Sequence, residues 1–163
     1  MAATLRLPGL RTLTLALPVV FVLHVLEEAP LFVSWFNRHV TPGISQPLFL
    51  AMNGWALGIT LVVVGLLLAG PNPVSGVVAV AWVALLMLAN GTFHLVATIV
   101  HGEYCPGVVT GTLIYLPMAI AFMRAVSREL HVPVSVIAAS ALVGSLPMAV
   151  HGYLIVFRGS RLF

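Results

Sequence analysis

The chain has 163 residues, 61% of them hydrophobic and 7% charged, with a formal charge of +3. That balance lies far from the soluble average and excludes an ordinary water-soluble domain; the seven basic residues are all arginines scattered near helix ends, which excludes a nucleic-acid patch. The single cysteine, Cys105, excludes an intrachain disulfide, and the sequence contains neither a glycine-rich phosphate loop nor a Cys-x-x-Cys pair.

Crossing a hydrocarbon core takes about 20 apolar helical residues, and in lipid each segment must satisfy its own backbone groups. The sequence therefore predicts an all-α, polytopic membrane helix bundle of about five transmembrane helices. They form a single bundle over 1–163, with no room for a soluble domain. A basic lead, 1–11, contains Pro8-Gly9 and precedes the first span, 12–36. The run continues past His24 to Phe36 with no small-residue cleavage site at a suitable distance, so it reads as a span and not a signal peptide. Fourteen Leu, Ile, Val or Phe residues lie in it. Each returns about 0.3–0.6 kcal/mol against about 3 for each buried glutamate, so insertion is feasible.

A polar turn with Pro42-Gly43 leads to the second span, 46–69, which stops at Gly70-Pro71-Asn72-Pro73. The third covers 74–101 and is followed by the loop Gly102-Glu103-Tyr104-Cys105-Pro106-Gly107. The fourth, 108–126, carries Pro117 as an expected kink. The fifth, 132–156, contains Pro147 and runs into a basic tail. Arg6, Arg11, Arg38, Arg124, Arg128, Arg158 and Arg161 are expected at headgroup level. Four of them fall inside and three outside if the N-terminus is inside, and that is the orientation the sequence favours. Gly58, Gly65 and Gly76 permit close helix approach, within the chain or in a homo-oligomer.

With five spans, the first, third and fifth run the same way. His24, Glu27 and Glu28, then His94 and His101, then His151 each lie in the second half of such a span, and Asn53 starts a span running the other way. All then share one leaflet, capped by the loop after His101. On a helix, Glu27 and Glu28 lie at about −60° and +40° from His24, one turn away on one face. Asn90, His94 and His101 fall in a sector of about 40°. Ionisable groups in a span are costly and mark function, and adjacent carboxylates repel unless cations or protons accompany them. Asn53 and Asn90 have the plainer reading of interhelical hydrogen bonds. His39 and His131 read as solvated turn residues, Glu103 as a headgroup-level charge, and Cys105 as incidental.

Imidazole and carboxylate together suit zinc, iron or manganese, and helix bundles build such sites from Glu and His projecting inward. The expected ligands are His24, Glu27, Glu28, His94, His101 and His151, with Glu27 also a candidate general base. The alternative is a metal-free acid–base isomerase or cyclase using Glu27 and Glu28 with His24. A further alternative is a non-enzymatic membrane binding or transport protein.

Three motifs carry a resemblance: His24-Val-Leu-Glu27-Glu28, Asn90-Gly-Thr-Phe-His94 and Tyr104-Cys-Pro106-Gly107. In that order and spacing they resemble the small bacterial integral membrane proteins named for an HXXEE motif, over most of the chain. The family's pattern has alanine where this chain has Gly91. The resemblance implies membership and a bacterial cytoplasmic-membrane location, but no activity. It also raises the standing of Tyr104 and the Pro106-Gly107 turn, as a lid that places a phenol over the site. The sequence thus predicts a membrane-embedded, metal-dependent enzyme acting on a lipid-like or apolar small molecule entering from the bilayer. Glu27, Glu28, His24 and Tyr104 would be its catalytic residues, with Asn53 and Asn90 supporting them.

Overall fold

The computed structural model describes residues 8–40 and 42–158. Among them the chain is all helical, with six helices: α1 (Leu10–Glu28), α2 (Phe32–His39), α3 (Gln46–Ala69), α4 (Pro73–His101), α5 (Val108–Glu129) and α6 (Val134–Arg158). All but α2 are long and apolar enough to cross a membrane. Arg6 and Arg161, two of the expected headgroup anchors, lie outside the described residues.

The predicted first span is broken. α1 stops at Glu28, and α2 begins at Phe32. Pro30 has no N–H to give the Leu26 carbonyl, and its ring would collide with that carbonyl in a continuing helix. Hydropathy alone could not show the break, because Phe32, Val33, Trp35 and Phe36 are as apolar as what precedes them. α2 buries Trp35 and Phe36. Asn37 then closes the following turn, its Oδ1 accepting from the N–H groups of Gly43 and Ile44 and its amide donating to the Ile44 carbonyl.

Local signals start and stop the other helices. Ser45 accepts from the Leu48 N–H at the start of α3, and Asn72 with Ser75 makes a capping box on α4. α4 ends on Gly102 at φ +66, and Gly107 at φ +101 precedes α5; both are left-handed positions that favour glycine. Two helices contain a wide turn, at Ala84–Ala89 in α4 and Gly111–Tyr115 in α5. In α5, Leu116 N–H bonds to the Gly111 carbonyl, five residues back. Pro117 follows directly and can give no N–H to the Leu113 carbonyl, so the expected kink takes the form of a π turn.

The main core lies between α1, α3, α4, α5 and α6, with Leu17, Val80, Val83, Met87, Tyr115 and Phe122 at its centre. A smaller cluster of Trp35, Phe36, Phe93, Ala97 and Cys105 sits beneath α2. Glycines set the closest helix contacts. A Cβ on Gly144 would collide with the Ala81 carbonyl oxygen, and one on Gly91 would stand 2.8 Å from that of Gly111. The departure at Gly91 thus falls where α4 and α5 touch backbone to backbone. Gly76 packs against Val126 and Leu130 of the same chain, whereas Gly58 and Gly65 face open space. Outward faces are apolar: Trp55, Val62 and Leu66 on α3 and Leu142, Val143 and Val150 on α6 are all exposed. Such surfaces suit lipid, not water.

Candidate metal centre

The last turn of α1 places His24 and Glu28 one above the other, and both are buried, at 2% and 5% exposure. α4 brings in His94, fully buried. His94 Nε2 lies 3.0 Å from Glu28 Oε1, and His24 Nε2 lies 3.6 Å from the same oxygen. One ligand atom from each of the three residues falls within 4.8 Å of the others. Neither Nε2 makes a hydrogen bond among the described residues, though the Asn90 side chain also acts on the His24 ring. The Nδ1 atoms are engaged instead. His24 Nδ1 is 2.7 Å from Thr110 Oγ1, and His94 Nδ1 is 3.3 Å from Cys105 Sγ.

Glu27 points elsewhere. Its Oε1 accepts from Tyr104 Oη at 2.7 Å, from Gly107 N–H at 3.1 Å and from Val109 N–H at 3.0 Å. Its Oε2 accepts from Thr110 N–H at 2.7 Å and Thr110 Oγ1 at 2.5 Å. The first amides of α5 have no partners of their own within the helix, and a carboxylate there also meets the positive end of the helix dipole. Glu27 is therefore a cap on α5 made by another helix, and both its oxygens are occupied. The two adjacent glutamates have separate tasks.

The walls are tight. Gly107 rests on both imidazoles: a Cβ there would stand 2.7 Å from His94 Cε1 and 3.0 Å from His24 Cε1. The Tyr115 ring lies over His24 with centroids 4.2 Å apart, and Phe32 and Phe93 flank His94 at 5.8 and 5.3 Å. Tyr115 is fully buried, yet its hydroxyl has no hydrogen-bond partner among the described residues. The Asn90 side chain lies close enough to His24 to act on its ring, although its Oδ1 makes no well-aligned hydrogen bond among the described residues.

Other expected site residues are distributed differently. Tyr104, half exposed, reaches the centre only through Glu27. His101 lies two turns beyond His94 and packs against His39, with centroids 4.8 Å apart, and against Trp35 at 5.5 Å. There Glu103 accepts from His39 at 2.7 Å and Arg38 at 3.2 Å, joining the loop to the end of α2. His151 lies on α6 in a hollow with Leu146, Pro147, Val150 and Leu154. The Asn53 amide donates to the Phe49 carbonyl of its own helix.

In the loop, His39 and then Arg38 hold the Glu103 carboxyl below its usual range. Partial burial and the Glu27 carboxylate push Tyr104 up to about 12. Burial, with the charge of Glu28, pushes the Cys105 thiol up to about 12. Three contributors were not singled out from sequence: Thr110, Tyr115 and Cys105. The signal for the first two was available, since both are hydroxyl-bearing exceptions in the otherwise apolar stretch after Gly107. Cys105 gave no signal as a single residue.

The family described as proteins of unknown function with an HXXEE motif matches this chain over residues 15–122. The chain belongs to that family, and the matched region contains His24, Glu27, Glu28, His94 and the 102–107 loop. No curated protein and no solved structure matches it.

Proposed function

We propose that His24, Glu28 and His94 bind a divalent cation of the zinc, iron or manganese class, and that the protein is a membrane-embedded enzyme using it on an apolar, lipid-like molecule. The observation that carries this reading is the convergence of two unpartnered Nε2 atoms on one buried carboxylate oxygen. Buried imidazole and carboxylate groups without hydrogen bonds are costly, and a cation among them removes that cost. Three protein ligands leave at least one coordination position for substrate, the pattern of catalytic sites. The cation there supplies Lewis acidity toward a substrate oxygen. Tyr115 and Asn90, with polar atoms unsatisfied, are suited to orient that substrate. The aromatic walls and the lipid-facing exterior favour an apolar molecule entering from the bilayer. Glu27, with its oxygens committed, is assigned to neither ligation nor proton transfer.

The 3.0 Å approach of His94 Nε2 to Glu28 Oε1 also sets a base beside a carboxyl group, and this supports a metal-free acid–base enzyme as the second reading. Elemental analysis of the purified protein distinguishes them. The metal reading expects a cation near one per chain, lost in Glu28→Ala and His94→Ala. No metal above background in the wild type rejects it. Metal fully retained in both variants rejects these ligands.

A further inference from the structure

The geometry points to Thr110, held by Glu27, as a positioning residue that fixes the tautomer of His24. A threonine hydroxyl has one hydrogen to give. Thr110 Oγ1 lies 2.5 Å from Glu27 Oε2 and 2.7 Å from His24 Nδ1. Glu27 is already ringed by donors, three backbone N–H groups and the Tyr104 hydroxyl. The Thr110 hydrogen therefore goes to Glu27, and the remaining lone pair of Oγ1 accepts from His24 Nδ1–H. A neutral imidazole protonated at Nδ1 is bare at Nε2.

This leaves the bare His24 Nε2 3.6 Å from Glu28 Oε1. Two electron-rich atoms then face each other in a buried site, which a cation between them stabilises. At His94 the far ring nitrogen also has a side-chain partner, Cys105 Sγ at 3.3 Å from Nδ1, with the Pro106 carbonyl 3.9 Å from the same sulfur. Hydrogen bonds at the far nitrogen of a metal-bound imidazole fix its tautomer and orientation. Here a carboxylate–hydroxyl–imidazole chain does so, and it also ties His24 to the first amides of α5. The use of this tautomer rests on the metal reading; its existence does not.

The test is a long-range ¹H–¹⁵N correlation spectrum of histidine-labelled, chelator-treated protein in detergent micelles, with His24→Asn to assign the His24 signals. The wild type should show His24 protonated at Nδ1. Thr110→Ser should keep that pattern, and Thr110→Val, of similar shape without the hydroxyl, should lose it. Zinc titrations should show Thr110→Val weakened about 10–100-fold and Thr110→Ser weakened far less. A wild-type His24 protonated at Nε2, or an unchanged tautomer in Thr110→Val, overturns the inference even if zinc binds. The predicted tautomer pattern without zinc binding sustains the inference and rejects the metal reading alone. The wild-type spectrum decides the tautomer should either variant fold poorly.

Discussion

α1 and α5 are antiparallel partners, and each begins against a carboxylate from the far end of the other. At one end Glu129, near the close of α5, accepts the Leu10 N–H of α1 at 2.8 Å. At the other, Glu27, near the close of α1, holds the first amides of α5. Among the described residues Glu129, which is exposed, has one donor and Glu27 has five, one of them a hydroxyl bonded onward to an imidazole. Only the Glu27 end adds a second carboxylate, buried between two histidines. A cap needs one acceptor. Helix capping accounts for Glu129 and for most of the bonds of Glu27, but not for Glu28, His24 and His94, the residues proposed to hold a cation.

The comparison can be broken first at Glu28. Glu28→Ala should weaken metal binding by more than about 100-fold, beyond what loss of a supporting group costs, while Glu129→Ala should leave it unchanged; zinc titration of the two variants checks this. Next come the caps. Glu27→Gln should cost about 3 kcal/mol in unfolding free energy through its lost charge-assisted bonds, and Glu129→Gln about 1 kcal/mol or less. Denaturation in one detergent would show whether that order holds.

The loop over the site is pinned separately through Glu103. Its carboxyl is held below the usual range, so its contacts to His39 and Arg38 are complete above the ordinary carboxylate value and lost as pH falls through the lowered one. Amide exchange over 102–107 should therefore quicken only below the ordinary carboxylate range, and Glu103→Gln should remove that pH dependence. The smallest effect is chemical. With its thiol pushed up to about 12 and fully buried, Cys105 should resist alkylation at pH 8, and Gly107→Ala, which disturbs the packing over His94, should make it react faster.

The sequence carried the bundle because hydropathy and turn signals act locally: the long apolar runs, the Pro42-Gly43 turn and the Gly70–Pro73 stop are each visible in a few residues. Helix direction also placed His24 and His94 at one end, and the structure brings them together with Glu28. Depth was less legible. His101 is seven residues past His94, about 10 Å farther along the axis, so a shared face put it in the α2–loop cluster and not beside the other histidines. The division between Glu27 and Glu28 was not legible either, since it depends on where the first turn of α5 lies in space. Pro30 was a further local signal overlooked, hidden by the apolar residues after it.

The most direct test is X-ray absorption at the metal edge of zinc-loaded protein. A first shell of nitrogen and oxygen, with outer scattering from two imidazoles, is the predicted spectrum, reduced to one imidazole in His94→Ala. A sulfur in that shell, or a spectrum unaltered by His94→Ala, would contradict a centre built from His24, Glu28 and His94.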